Sequence, residues 1–339
     1  MSFYVTAVVV SYNRAKLLNE CLDAISRQTR PADRVIIIDN ASTDGAYDVA
    51  RNHSVGAEVV RLDHNVGGAG GFCAGIALAV AAADSGHADG HEAQSGDAQD
   101  TRHYIWLMDD DTMPTPTALE ELLKATGQAA KANGAWPTVL GSQARWIDGR
   151  IHTMNRPRER SKLEGLRANT ARHLHGSTNA YQVRSLSFVS CLVNATAIQH
   201  RKALPVSAYF LWNDDFEYTS RLLRDGIGYY VPQSEVVHKT RTFGSSDADP
   251  GARFRFEVRN KIWMLRFARR DFKPLEYIEL VLKTIRRFTL TVIRAKDHTL
   301  ICHYFNQGWH EGWRTEPASN TTVLAGNLQV IDAINDIMH

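Results

Sequence analysis

VTAVVVSYNR, residues 5–14, decides the fold. The run Val5–Val10 is unbroken by any charged or strongly polar side chain, so it reads as a strand covered on both faces. The polar Ser11-Tyr12-Asn13-Arg14 then falls at its carboxyl end. Beyond it, Leu17, Leu18, Cys21, Leu22 and Ile25 recur at helical spacing until Pro31. A second buried strand, Arg34–Ile38, runs into Asp39-Asn40-Ala41-Ser42-Thr43-Asp44-Gly45, a turn-rich stretch with several possible helix caps. A short helix to Asn52 and a strand at Ala57–Leu62 follow. Strand–helix–strand–helix–strand requires parallel pairing with crossover helices, hence an open α/β sheet.

Such sheets bind ligands beyond the carboxyl ends of their strands. The polar clusters Ser11–Arg14, Asp39–Asp44 and Asn65–Gly71 all fall there and predict one shared cleft. An alanine-rich helix is expected over Phe72–Ala83, then a polar, mobile surface insertion at 84–103. A fourth strand, Tyr104–Met108, ends in Asp109-Asp110-Asp111. Further expectations are a helix from Thr117 to about Lys131 and strands at Val139–Ile147 and Leu186–Asn194. A helix with its approach over Tyr209–Leu223 and a strand at Gly228–Val237, leading to His238, complete this region. Residues 1–250 are read as a catalytic domain and 251–339 as a helical, basic C-terminal region.

With 339 residues, 44% hydrophobic and 22% charged, the chain has material for one large domain or two modest ones. A net charge of +2, from 39 Lys+Arg against 37 Asp+Glu, argues against a general nucleic-acid binder. Cys21, Cys73, Cys191 and Cys302 are scattered without a CxxC pair, which suits a reducing cytosol better than a disulfide framework. No secretory leader is expected at the N-terminus, and no apolar run reaches the roughly 18 residues of a membrane span. Arg253–Lys296 holds 13 Lys/Arg against 4 Asp/Glu, interleaved with Phe, Trp, Leu and Ile. It reads as solvated helical faces or as a surface that docks on anionic lipid.

Three consecutive carboxylates at a strand end repel one another unless a cation sits among them. Alternation along a strand puts Asp109 and Asp111 on one side and Asp110 on the other. Hard oxygen ligands suit Mg2+ or Mn2+; capping of the helix that follows is the structural alternative. Asp39 and Asp44 offer hydrogen bonds to a ribose or base. Gly67-Gly68-Ala69-Gly70-Gly71, with Asn65, offers backbone N–H groups to an anion or sugar, or else a tight turn with close helix–sheet packing. Trp212-Asn213-Asp214-Asp215-Phe216-Glu217 sets an aromatic face beside carboxylates, a combination that seats a sugar. Trp212 and Glu217 are therefore candidates for the acceptor.

SYNR, DNASTDG, NVGGAGGF at 65–72, DDD and WNDDFE, in that order, resemble the GT-A family 2 glycosyltransferases over Val5–His238. Within that family they are most similar to bacterial galactofuranosyltransferases, with rhamnosyltransferases close by. The resemblance implies a Rossmann-like fold with a mostly parallel sheet and inverting transfer from a nucleotide diphosphate sugar. It implies that Asp109, Asp111 and His238 hold the metal. Tyr12, Asn13 and Asp39 would hold the nucleotide, together with Arg14, Asn65, Gly68, Gly70 and Asp110. Asp215 matches the base; Asp214 stays an alternative because Trp-Asn-Asp-Asp stands where the family has Trp-Asp-Asp. UDP-galactofuranose is the expected donor and dTDP-rhamnose the second choice, with a glycan or lipid-linked acceptor. A nucleotidyltransferase would need a glycine-rich loop after the first strand, which SYNR lacks. A sugar-nucleotide sensor would not need Asp109, Asp111 and Asp215 together.

Overall fold

The computed structural model describes residues 2–85, 101–160, 170–176, 178–243 and 250–339. The first half alternates β1 (Ser2–Ser11), α1 (Ala15–Ser26), β2 (Arg34–Asp39), α2 (Ala46–Asn52), β3 (Glu58–Arg61) and α3 (Gly67–Ser85). Then come β4 (Thr101–Asp109), β5 (Thr112–Pro114), α4 (Ala118–Asn133), β6 (Val139–Arg145), β7 (Arg158–Glu159), β8 (Tyr181–Ser185) and β9 (Cys191–Asn194). α5 (Ala195–Arg201), α6 (Asp214–Leu222) and β10 (Gly228–His238) follow. The helices α7 (Phe254–Phe267), α8 (Pro274–Arg294), α9 (His298–Arg314), α10 (Asn320–Val323) and α11 (Leu328–Met338) complete the chain.

The strands form one sheet in the order β3-β2-β1-β4-β9-β6-β10-β8-β7, with β5 paired to β10. β3, β2, β1 and β4 are parallel, as expected. The second half is mixed: β9 lies antiparallel between β4 and β6, while β6 and β10 are parallel. Of the single strand expected at Leu186–Asn194 only Cys191–Asn194, β9, is strand; β8 ends before it at Ser185, and residues 186–190 connect the two. Ser190, at φ 56°, turns the chain between β8 and β9.

The unbroken apolar run of β1 has its reason in the layers. Val5, Ala7 and Val9 pack with α1, α2 and α4, while Val8 and Val10 pack with α3 on the other face. Leu324 and, from α11, Val330, Ala333, Ile334 and Ile337 join the α3 side, so the C-terminal helices share the main core.

The glycine-rich run forms the first turns of α3, and the close helix–sheet packing given above as one of its two readings is present. A Cβ at Gly71 would meet Val10 Cγ1 at 2.5 Å, and one at Gly67 would meet the Phe210 carbonyl oxygen at 1.9 Å. Small residues here let α3 lie against β1 and let the chain at 210 cross over its start. Of the insertion at 84–103, residues 84–85 end α3 and 101–103 begin β4; the rest lies outside the described residues.

Candidate functional site

β4 delivers Asp109 opposite Val10 of β1, and the chain then turns through Asp110 and Asp111. Asp109 and Asp111 line a cavity of about 1020 Å³. Asp110 points the other way and organises the loop after β1. It accepts hydrogen bonds from Ser11 Oγ (3.0 Å), the Tyr12 N–H (3.2 Å) and Arg14 (3.2 Å). Arg14 also reaches Asp111 Oδ2 at 2.6 Å, so one guanidinium bridges two of the three acids. Burial and its two neighbours push the Asp109 carboxyl well above the usual carboxylate range. Burial acts on Asp111 in the same sense, but His238 and Arg14 outweigh it and hold Asp111 low.

His238 ends β10 with Nε2 3.2 Å from Asp111 Oδ1, a buried oxygen with no hydrogen-bond partner. Its Nδ1 donates to Asn155 Oδ1 at 2.9 Å, and Asn155 Nδ2 donates to Ser187 Oγ at 3.3 Å. With its proton on Nδ1 alone, His238 turns the Nε2 lone pair toward Asp111 Oδ1, an arrangement that a shared cation accommodates; with both nitrogens protonated the same contact is an ion pair. Neighbouring ligands on an ion at about 2.1 Å lie about 3 Å apart, so the spacing suits a hard divalent ion. Asp109, Asp111 and His238 fit such an ion by donor type and by facing one cavity. Among the described residues no three His, Cys, Asp or Glu side chains are already gathered as a ligand set. His152 packs against His238 with ring centroids 5.1 Å apart and planes tilted by 40°.

The second acidic cluster reaches the same cavity from another part of the chain. Trp212, Asp214 and Asp215 line it. The backbone leading there is unusual, with Phe210, Trp212 and Asn213 at φ 64°, 67° and 67°. Left-handed non-glycine residues cost of order 1–3 kcal/mol each and persist only when surrounding contacts over-determine them. Here Asn260 of α7, fully buried, directs Nδ2 at the carbonyls of Tyr209, Leu211 and Trp212, each at 2.9 Å. Arg259 adds bonds to the Ala208 and Tyr209 carbonyls at 2.9 and 3.0 Å.

Asp214 and Asp215 occupy the first turn of α6, where the helix dipole favours negative charge. Burial and the neighbouring Asp215 nevertheless push Asp214 up to about 8. Asp215 is raised by burial, opposed by the Phe216 N–H at 2.6 Å and by the charge of Lys261. Lys261 lines the cavity, rests 4.6 Å over the Phe216 ring, and is itself lowered to about 8 by burial.

Several residues singled out from sequence lie elsewhere. Glu217, a candidate for the acceptor, is buried, pairs with Arg221 at 3.3 Å and does not line the cavity; helical spacing turns it inward. Gly68 lines the cavity, whereas Gly70 is pressed against Val66. Asn65 caps α3 through the Gly67 N–H at 2.8 Å. Asp39 is buried, accepts from the Ser42 N–H and faces Arg61 at 3.5 Å. Asn13, at φ 51°, accepts from the Thr43 N–H at 2.7 Å, and Asp44 accepts from the Ala15 N–H at 2.8 Å. These bonds tie the loops after β1 and β2 together beside the cavity, leaving Tyr12 exposed.

Arg259, Asn260 and Lys261 were read from sequence as surface charge, whereas Asn260 clamps the strained loop and Lys261 faces the base candidate. The signal was present in the spacing. Glu257, Asn260, Trp263 and Met264 fall on one helical face, all buried.

Residues 6–189 match the family described as Glycosyl transferase family 2. Galactofuranosyltransferase GlfT1 of Mycobacterium tuberculosis (strain H37Rv) is 27% identical over 282 residues, covering 78% of this chain and 83% of that protein. GlfT1 of Mycolicibacterium smegmatis is 33% identical over 115 residues, so this chain spans 32% of that relative's length. Among solved structures, mannosyltransferase PcManGT from Pyrobaculum calidifontis, in complex with GDP-Man and Mn2+, is 16% identical with a TM-score of 0.48. The match covers 98% of this chain and 84% of PcManGT. The likeness is distant, and the assignment rests on the family match and on the Rossmann-like α/β sheet of GT-A type. With that match over more than half of its 339 residues, the chain belongs to glycosyl transferase family 2.

Proposed function

We propose that the chain is an inverting, metal-dependent galactofuranosyltransferase. It would move galactofuranose from UDP-galactofuranose to a hydroxyl of a lipid-linked or polysaccharide acceptor in cell-surface glycan synthesis. The reading rests on one observation: Asp109 and Asp111 share a cavity with Asp214 and Asp215 although about a hundred residues of chain separate the pairs. The two GlfT1 relatives named above are galactofuranosyltransferases, which supports this donor over dTDP-rhamnose.

Asp109, Asp111 and His238 would hold Mn2+ or Mg2+. Bound there, the ion would offset the charge that collects on the departing diphosphate. Asp215 would take the proton of the acceptor hydroxyl, since it lines the cavity and the nearby charge of Lys261 favours its ionised form. The freed oxygen attacks the anomeric carbon as the bond to the diphosphate oxygen breaks, and the electron pair leaves with the diphosphate. A single displacement inverts the anomeric centre. Trp212 supplies an apolar face for a sugar ring.

Incubation with UDP-galactofuranose, UDP-galactopyranose and dTDP-rhamnose, with Mn2+ or with EDTA, tests the reading. UDP release from UDP-galactofuranose only, abolished by EDTA, is the expected result. Preference for another donor would replace the sugar assignment, and unchanged release in EDTA would remove the metal.

A further inference from the structure

α8 has three kinds of surface. Leu280, Thr284 and Phe288 face inward, and Glu276 anchors the helix through a buried pair with Arg184 at 2.8 Å. Glu279, Lys283 and Arg287 line the cavity. On the far side, Leu275, Ile278, Leu282, Ile285 and Ile293 are each more than half exposed. Soluble surfaces carry isolated aliphatic side chains commonly, but five in one row along about five turns of a helix, interrupted only at Thr289, are unusual.

We propose that this outer face of α8 docks on an anionic membrane surface. At 3.6 residues per turn, Arg286 falls between the aliphatic row and the cavity-lining row, and Lys283 and Arg294 lie farther round on the cavity-lining side. Arg286 and Arg294 are exposed, and the nearby Glu279 is engaged by Arg158 and Lys283. Aliphatic side chains flanked by cations on a rigidly held helix match the boundary between acyl chains and anionic headgroups. A second copy fits less well, because two α8 helices packed face to face would bring like charges together. Among the described residues no helix is long and apolar enough to cross a membrane, so the contact is with the surface. The geometry turns the cavity's α8 wall toward the bilayer, where a lipid-linked acceptor would be presented. That benefit rests on the proposed transfer reaction, whereas the docking itself does not.

The test uses the full chain and vesicles of phosphatidylcholine with or without phosphatidylglycerol, in the absence of donor and metal. The wild type floats with the anionic vesicles roughly ten-fold more than with neutral ones, and less as salt rises. Leu282→Asp combined with Ile285→Asp lowers flotation by at least about ten-fold while circular dichroism and UDP release stay unchanged. Arg286→Glu combined with Arg294→Glu removes the salt-sensitive part and serves if the aspartate variant misfolds. Absence of wild-type binding, or equal binding by both variants, overturns the proposal. So does a wild-type dimer that the aspartate variant converts to monomer without any vesicle binding.

Discussion

Asn260 Nδ2 lies 2.9 Å from the carbonyl oxygen of Trp212, so a helix of the C-terminal region holds the backbone that enters Asp214 and Asp215. The same amide group reaches the carbonyls of Tyr209 and Leu211. Asn260→Ala therefore releases a loop held in left-handed geometry rather than merely deleting a surface polar group. Displacement of a reacting group by about 1 Å costs roughly 10²-fold in rate. We expect kcat to fall by that order while the donor KM and the far-ultraviolet circular dichroism hold. A kcat within two-fold of wild type, by contrast, would show the loop to be held without the clamp.

The charge on Lys261 favours the ionised form of Asp215, against burial, which raises it. A base must be ionised, so kcat/KM falls as pH drops through the raised pKa of Asp215. Lys261→Met removes the opposing charge and moves this acid limb to higher pH. An unmoved limb in the pH–rate profile would uncouple Lys261 from the base.

Asp214 titrates near 8 in the fold and near ~3.9 in an unfolded chain. Between those values the folded state keeps a proton that the unfolded state has lost. This carboxyl's contribution is thus fully favourable at low pH, declines as pH rises and levels off above about 8. Asp214→Asn keeps the neutral shape and removes the decline. Its melting temperature should exceed that of wild type by a margin that grows from about pH 4 to 8, as measured by calorimetry.

Isothermal titration with Mn2+ addresses the cation site without reference to turnover. Asp109→Asn and His238→Ala should each weaken binding strongly. Asn155→Ala, which frees the His238 ring from its orienting hydrogen bond, should weaken it by roughly 10-fold. Wild-type affinity in His238→Ala would take His238 out of the ligand set.

The parallel half of the sheet was legible because burial on both faces leaves uninterrupted apolar runs, as in Val5–Val10 and Tyr104–Met108. The mixed half was less so, since the short β9 carries no local mark of its antiparallel place between β4 and β6. Asp109, Asp111, Asp214 and Asp215 could be picked out because adjacent carboxylates are costly to bury for packing alone. The clamp was hidden for the opposite reason: one Asn in an arginine-rich helix looks like solvated surface until its helical phase is compared with Trp263 and Met264. Gly67 and Gly71 were read either toward a ligand or toward close helix–sheet packing, and the groups that approach them are the chain's own Phe210 carbonyl and Val10.

Asp215→Asn, compared with Asp214→Asn, probes most directly whether the two acidic clusters act on one reaction. Single-turnover transfer with UDP-galactofuranose and Mn2+, alongside donor affinity, is the measurement. For Asp215→Asn the rate should fall by about 10²–10⁴-fold with donor affinity kept, and Asp214→Asn should lose far less. Transfer at the wild-type rate by Asp215→Asn would contradict the assignment of proton removal to this face of the cavity.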